Sequence, residues 1–464
     1  MSTRTLENVS QLRAANGGLQ RRLGLASATA AVAGESIAVG IFLTPAGMAK
    51  SVGSPFWLLV VWVVVGLLAV CGALCYGELA ARFPRDGGIY VYLLETCGRR
   101  IAFLYGWMCL LVLDPGLTAA LAVGLAGYAG YIFPSSALVA KVIAICAIWA
   151  LCLLNVLSIR IGAGVLRWST WLKLSVLASM VIWAFAFRLG SWSNFHPLVS
   201  QHPGSLPLGH ALGAAMVGGF FSFGGWWDVS KIAGEVRDPG RTLPRAMLLG
   251  VLIVTVVYIL VSTAFLYLLP LAQVTSDEAF VAQAGAVLFG RAGGMIFAGI
   301  VVVCVLSSLA AFIMSAPRVY YAMAKDGLFM HAMARTHPRF GTPANAILLQ
   351  GSIATILVVI GTFQQIIAYF IFVAVVFLAL AGAGLFAARG RNQGAEPIFL
   401  TPAHPLPAVV FLALMSALLV LLALHSPREA ILGTAVVAAG LPVYAVFQRK
   451  PAPVEMVSTK FIGS

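Results

Sequence analysis

The chain has 464 residues, of which 61% are hydrophobic and only 9% are charged. Because soluble globular proteins carry roughly 25% charged residues, this composition excludes an ordinary soluble protein and indicates an integral membrane protein. The formal net charge is +14 at pH 7. A charge of this size can indicate nucleic-acid binding, but only where the basic residues cluster on one surface.

Apolar stretches near or above the roughly 20 residues needed to cross a bilayer recur about twelve times along the chain. We predict membrane spans near 25–49, 56–81, 101–131, 137–158, 163–187, 208–230, 246–269, 285–316, 344–363, 365–388, 406–425 and 430–447. Residues 1–22 are polar and basic. They contain no apolar core followed by a cleavage site, so we expect no signal peptide.

The basic residues follow the predicted topology. If both tails (1–22 and 451–464) are cytoplasmic, most lysines and arginines fall in those tails and in the cytoplasmic loops, as the positive-inside rule requires. The net charge therefore reflects topology, and we expect no nucleic-acid partner. From the compact loops we expect a plasma (inner) membrane. No cysteine falls in a predicted external loop or a metal-type cluster, so we expect no disulfide and no metal site.

Glu35 lies in the middle of the first apolar stretch, close to Gly34 and Gly40. A charge at the bilayer centre costs ~2.5–3.5 kcal/mol on insertion scales and is a functional candidate. Glycine lets backbone amides and carbonyls leave the helical ladder and face a ligand. We therefore predict a helix that opens in mid-membrane to hold a polar solute. The alternative is that these are ordinary packing glycines.

A second glycine interruption lies in the sixth apolar stretch, in the segment 220–226. The two interruptions are five spans apart, so they occupy matching positions in two five-span halves of opposite orientation. Such a pair of interrupted segments indicates a transporter site at the interface between repeats. We predict the repeats at 23–190 and 191–390, with two further helices at 391–450. No GxxxxGK[ST] phosphate loop is present, which argues against direct ATP drive.

Several motifs surround these interruptions. They are Gly40-Ile41-Phe42, Tyr76-Gly77-Glu78-Leu79, Phe83-Pro84, Gly87-Gly88, and the loop segments 235–245, 317–329 and 337–343. In these motifs residues 25–390 resemble the amino acid–polyamine–organocation superfamily, especially its L-type and cationic amino acid exchangers. The resemblance implies an all-α polytopic membrane protein with twelve transmembrane helices. Its core is a leucine-transporter-like 5+5 inverted repeat with broken helices 1 and 6, and two helices are peripheral.

The resemblance also implies a site for a free amino acid at the two interruptions. Backbone amides at Val39, Gly40 and Ile41 would meet the carboxylate, because a helix N-terminus carries partial positive charge. Carbonyls would accept the ammonium at Gly34, Ser36, Ile37, Phe221 and Ser222. Ala38 and Val39 stand where the family has glycine and a small residue.

Span 6 supplies the rest of the expected binding site. Gly224 and Gly225 would open the helix, and Phe221 lies where the family places an aromatic lid over its substrate. The face of an aromatic ring also attracts cations. Phe223 extends the aromatic cluster. Packing in the core or against lipid is the alternative role for these rings.

Lys173 is the one basic residue that we expect to be buried in the middle of a predicted span. It matches a lysine that many sodium-independent members carry in span 5, where sodium-coupled relatives of the fold hold an ion. It can bond span 1 carbonyls and the hydroxyl of Ser307 or Ser308, and burial would also let it accept a proton. The alternative is a lysine that extends to the membrane interface.

Two further acids lie beside the predicted site. Asp114 precedes Pro115 and Gly116 in span 3. With Glu35 it could receive a cationic substrate, pair with Lys173 or carry a proton, or it could satisfy amides freed by the proline. Asp228 is expected to cap the end of the unwound span 6. The residues leave these roles open.

We therefore expect a secondary active, sodium-independent amino acid transporter that works by exchange or proton symport. The alternative is the same fold carrying a polyamine or another organic solute, which Ala38, Val39 and the intramembrane acids favour. A ligand sensor or a channel is less favoured, because the chain offers no signalling domain and no continuous polar pore. An enzyme is disfavoured, because no nucleophile–base or metal constellation stands out in the sequence. We expect no cofactor. The segment 127–134 lacks the external cysteine that joins L-type relatives to a glycoprotein, so we expect no disulfide-linked accessory subunit.

Overall fold

The computed structural model describes residues 23–37, 40–85, 87–157, 163–202, 205–271, 280–335, 337, 340 and 342–448. These residues form helices and connecting turns, and their only strand-like pairing is an isolated parallel bridge between Leu23 and Val236. The all-α class predicted from the sequence is confirmed for this part of the chain.

Among the described residues, the first half contains nine α-helices and the second half ten. The first nine are α1 Leu25–Ser36, α2 Gly40–Leu43, α3 Pro45–Val52, α4 Pro55–Arg82, α5 Ile89–Cys97, α6 Arg99–Met108, α7 Asp114–Ile132, α8 Ala137–Val156 and α9 Ala163–Ala186. A π-helical segment, Cys109–Leu113, joins α6 to α7. A short 3-10 helix, Trp192–Phe195, follows α9.

The second half continues with ten α-helices. They are α10 Leu208–Phe223, α11 Pro239–Leu268, α12 Phe280–Ser315, α13 Pro317–Lys325, α14 His331–Ala334, α15 Ala344–Ile360, α16 Phe363–Gly390, α17 Leu406–His425, α18 Pro427–Ala438 and α19 Gly440–Gln448. A 3-10 helix, Asp228–Glu235, lies between α10 and α11.

Within the described ranges, nine helical stretches are long and apolar enough to cross a membrane. They are Leu25–Leu43, Pro55–Arg82, Arg99–Ile132, Ala137–Val156, Pro239–Leu268, Val281–Ser315, Phe363–Gly390, Leu406–His425 and Pro427–Val446. Shorter apolar helices are Thr170–Ala186, Leu208–Phe223 and Ala344–Ile360. The chain is a multi-pass membrane protein.

Long helices surround the two short, interrupted ones. Helix α11 packs along both α4 and α1, while α10 packs against α3, α4, α16 and α17. Helix α7 packs against α12 and α8. The ends of α1 and α10 therefore lie inside the bundle, where backbone groups have no access to bulk water and need partners within the protein.

The π-helical segment before α7 has a local cause in the sequence. Pro115 has no amide hydrogen, so it cannot donate the usual bond to the carbonyl of Leu111. The backbone widens into a π-turn over Cys109–Leu113 and returns to an α-helix at Asp114. Such π-bulges re-aim the side chains beside them and are frequent at functional sites. Here the bulge places Asp114 in the core.

A buried ion cluster joins α4 to α16. Glu78 is 0% exposed and accepts hydrogen bonds from Arg82 Nη2 at 3.0 Å, from Arg389 Nη2 at 2.6 Å and from the Thr401 amide at 2.8 Å. A second nitrogen of each arginine also donates to this carboxylate. Since every part of the carboxylate is bonded, it can remain charged within the protein.

Replacing Glu78 with Gln should destabilise the protein strongly. The change leaves two arginines without their carboxylate, and breaking a buried ion pair costs about 3–5 kcal/mol. Thermal and denaturant unfolding of the purified protein in detergent measures the loss. The matched control is Glu396→Gln, because Glu396 is exposed in the loop after α16. Equal stability of the two variants would contradict the structural role of the cluster.

Candidate functional site

Helix α1 ends at Ser36, inside the bundle. The amide of Ile37 donates to the carbonyl of Ala33 at 2.8 Å, and Ser36 and Ile37 are both buried. The buried Ser36 hydroxyl has no hydrogen-bond partner among the described residues. Ala38 and Val39, which the sequence places in the site, lie outside those residues. The chain resumes as a helix at Gly40.

Helix α10 ends at Phe223, and a glycine turn follows it. The amide of Gly224 bonds back to the carbonyl of Phe221 at 3.1 Å. Gly225 has φ of +101°, a backbone conformation that side chains rarely allow. The amide of Asp228 then donates to the carbonyl of Gly225 at 2.9 Å, and the chain continues as a 3-10 helix. The sixth span is therefore interrupted where the sequence predicts.

The two interruptions lie directly against each other. A Cβ atom on Gly40 would lie 2.1 Å from the Ser222 Cα, and one on Gly225 would lie 3.2 Å from the Glu35 Cβ. Only glycine at position 40 permits this approach of α2 to α10. The hydroxyls of Thr44 and Ser222 are hydrogen-bonded at 2.5 Å, which holds the two helices side by side.

Tyr258, on α11, bridges the ends of both interrupted helices. Its hydroxyl oxygen lies 2.6 Å from the carbonyl oxygen of Ser36 and 2.7 Å from that of Ser222. The single phenol hydrogen is shared between these acceptors, which lie at helix ends where carbonyls lack an intrahelical partner. Sequence analysis missed this residue. The sequence feature that could have indicated its role is a tyrosine in the middle of a predicted span, since a buried phenol needs a hydrogen-bond partner.

Aromatic rings pack around the end of α10. Phe221 is buried and contacts Phe363 and Phe370 of α16, with ring centroids 5.9 and 6.1 Å apart. Phe223 points to the other side and packs against Tyr258 at 5.1 Å. Phe221 thus lies between α10 and α16, and Phe223 supports the bridging tyrosine.

Glu35 is exposed although its neighbours Ser36 and Ile37 are buried. It interacts electrostatically with Asp228, Lys231 and Lys173, which come from the segment after α10 and from α9. It makes no hydrogen bond and no ion pair within the described part of the chain. The exposed Glu35 side chain therefore lies near charged groups of α9 and of the segment after α10.

Lys173 on α9 is 4% exposed and donates to the Ser308 hydroxyl on α12 at 2.6 Å. The Ser308 hydroxyl in turn donates to the carbonyl of Cys304 at 3.1 Å. Of the two serines that the sequence offers as partners, Ser308 makes the contact, while Ser307 is half-buried and is not bonded to this lysine. The ammonium thus links α9 to α12 as the sequence suggests.

Asp114 is 1% exposed and is held by a scaffold of polar side chains. Its carboxylate accepts a hydrogen bond from the Tyr320 hydroxyl at 2.6 Å. The Gln350 amide donates to Thr118 at 2.9 Å, and the Thr118 hydroxyl donates to the Asp114 carbonyl at 2.7 Å. Its hydrogen-bonding partner is therefore a tyrosine of α13. The suggested pair with Lys173 does not form in the structure.

Asp228 forms an ion pair with Lys231 at 2.8 Å, and both side chains are largely buried. Asp228 begins the 3-10 helix Asp228–Glu235, and its expected role as a cap at the end of span 6 stays a prediction. Lys231 follows the predicted span 208–230 and was therefore expected in a cytoplasmic loop. In the structure it lies close enough to Asp114 for an electrostatic interaction. The sequence feature that could have indicated this ion pair is the Asp–Lys spacing of three residues, which places both charges on one helix face.

Tyr258→Phe should destabilise the protein by about 1–3 kcal/mol, because it leaves two buried carbonyls without their shared donor. Denaturant unfolding in detergent measures the change. Tyr267→Phe is the matched control, since the Tyr267 hydroxyl makes no hydrogen bond within the described residues. If both variants unfold at the wild-type denaturant concentration, the hydroxyl bridge does not stabilise the helix ends.

The chain matches the family model described as amino acid permease over residues 23–447. It is 29% identical to the serine/threonine exchanger SteT of Bacillus subtilis over 438 residues, which are 94% of this chain and 98% of SteT. It is 30% identical to the human b(0,+)-type amino acid transporter 1 over 413 residues, covering 87% and 82% of the two chains.

A further human relative is the large neutral amino acids transporter small subunit 2. It is 28% identical over 447 residues, which are 93% of this chain and 82% of the relative. The family model matches most of the chain, and the relatives are similar to it over most of their length. Both findings agree with the motifs around the interrupted helices. The chain belongs to the amino acid permease family of the amino acid–polyamine–organocation superfamily, in the branch of L-type exchangers.

Proposed function

We propose that the protein is a sodium-independent secondary transporter that carries amino acids across the plasma (inner) membrane by alternating access. The observation that carries this proposal is the meeting of two interrupted helices, at Gly40 against Ser222 and at Gly225 against Glu35. Paired interruptions of this kind bind substrate near the bilayer midplane in many secondary transporters.

The proposed architecture has twelve spans, counting the three shorter apolar helices with the nine longer stretches. The repeats would occupy 23–190 and 191–390, and the helices within 391–450 would be peripheral. Both tails, 1–22 and 451–464, would be cytoplasmic. The basic character of the predicted cytoplasmic loops supports this orientation.

In the proposed site, the substrate carboxylate meets the first amides of α2, at Gly40 and Ile41. Both residues are buried at a helix start, where the first amides have no intrahelical acceptor and can donate to an anion. The ammonium group lies toward the end of α1 and the turn after α10. Phe221, buried beside α16, would close over the substrate when the ring rotates.

Exchange is the favoured mechanism, because the name of the Bacillus subtilis relative describes a serine/threonine exchanger. Proton symport is a second candidate, supported by the carboxylates of Glu35 and Asp114 within the bundle. Independence from sodium is supported by Lys173, whose ammonium bonds Ser308 between α9 and α12. A fixed positive charge there repels a second cation.

Counterflow in proteoliposomes tests this proposal. Vesicles loaded with unlabelled L-serine, L-leucine or L-arginine should accumulate the same labelled amino acid from outside, and empty vesicles should not. Absence of counterflow for these and for the other amino acids would contradict amino acid transport. Accumulation of a polyamine instead would favour the alternative solute.

Replacing all sodium with N-methylglucamine should leave this counterflow unchanged, because Lys173 occupies the place of a coupling cation. The measurement is the initial uptake rate in the two media at the same pH. A rate that falls to background without sodium would contradict the role proposed for Lys173.

A further inference from the structure

The charges around the interruptions do not balance. Glu35, Asp114 and Asp228 are carboxylates, and they interact electrostatically with Lys231. Lys173 interacts with Glu35 from α9. Among the described residues this cluster has three acids and two lysines, so one negative charge is in excess when all are ionised. An uncompensated charge within a membrane bundle is unfavourable.

Glu35 is the acid that lacks a bonded partner. Asp228 is paired with Lys231, and Asp114 accepts a hydrogen bond from a tyrosine. Glu35 makes neither kind of contact with described residues, and it is the exposed member of the cluster. Because its side chain is exposed rather than packed, a cation has room beside the carboxylate.

The acceptors that an ammonium group would otherwise use are partly occupied. The carbonyls of Ser36 and Ser222 already accept the hydroxyl hydrogen of Tyr258. Glu35 directly precedes Ser36, and its Cβ lies next to the turn at Gly225. Of the acceptors at the two interruptions, its carboxyl group is the one that can carry a charge, is exposed and has no bonded partner among the described residues.

We propose that Glu35 binds either a proton or a protonated amine of the substrate, and that the two compete. This inference rests on the proposed transport function, in its favoured form of exchange, and names the group at which proton and substrate compete. In the empty site Glu35 carries a proton, which compensates the excess charge of the cluster. When the substrate binds, its ammonium compensates the Glu35 carboxylate in place of the proton, while the substrate carboxylate is met by the amides at the start of α2.

The exchange balances in atoms and charge. The O–H bond of the Glu35 carboxylic acid breaks, its electron pair stays on the carboxylate, and the proton passes to water. The substrate ammonium keeps its own protons and forms an ion pair with the carboxylate. The facing groups are Asp228 and Lys231 from the segment after α10 and Lys173 from α9. Since one carboxylate exchanges one proton for one ammonium group, each binding event releases at most about one proton.

Isothermal titration calorimetry measures this release directly. The probe is whichever of L-serine, L-leucine and L-arginine supports counterflow, titrated into wild-type protein in two buffers of different ionisation enthalpy. The difference in heat gives the protons released per substrate bound. We expect release at acidic pH and an affinity that rises by up to about tenfold per pH unit until Glu35 is ionised.

Variants identify the group responsible. Glu35→Gln should bind without releasing a proton, and its affinity should no longer depend on pH. Glu35→Asp should restore proton release. Glu396→Gln, in an exposed loop, should behave as the wild type. The wild-type calorimetry stands even if Glu35→Gln does not fold.

Two results would overturn the inference. One is substrate binding to the wild type with no proton release at any pH. The other is a folded Glu35→Gln variant that releases protons as the wild type does. In both cases counterflow of the amino acid would still support the proposed function, whereas loss of wild-type counterflow itself would defeat that function.

Discussion

Two helices that stop inside a membrane bundle leave backbone carbonyls without helical partners, and lipid supplies no replacement. Tyr258 meets this need by placing one hydroxyl against the carbonyls of Ser36 and Ser222. The contact fixes the ends of α1 and α10 to the long helix α11. The close approach of Gly40 to Ser222 depends on the same alignment.

The polar groups around this junction fall into two sets. One set is bonded and rigid: Asp114 with Tyr320, Lys173 with Ser308, and the Glu78 cluster that joins α4 to α16. The other set is exposed rather than packed and contains Glu35. A transporter needs both, because a fixed scaffold must hold a site whose charge can change as ligands enter and leave.

Much of the fold was predictable from the sequence because it depends on local patterns. Apolar runs indicate the long helices, and the glycines at 34–40 and 224–225 mark both interruptions. Lys173 and Ser308 were also predictable as partners, through the family resemblance. These features can be recognised from single residues that are unusual where they occur, such as glycines inside an apolar stretch or a lysine in the middle of a span.

The remaining features depend on contacts between distant segments. Tyr258 lies more than thirty positions from Ser222 and far from Ser36 in sequence, so no periodicity connects them. Lys231 directly follows the predicted span 208–230 and is therefore assigned to a loop from the sequence, whereas the turn at Gly225 brings it back into the bundle. Asp114 was identified as an intramembrane acid, but its partner Tyr320 comes from a helix that the sequence assigns to a cytoplasmic loop.

The central claim is that the substrate binds where the two interrupted helices meet. A cryo-electron microscopy structure of the protein with a transported amino acid tests this most directly. The account predicts the substrate carboxylate at the amides of Gly40 and Ile41, with its ammonium beside Glu35. Substrate density elsewhere in the bundle, or helices α1 and α10 continuing without interruption, would contradict it.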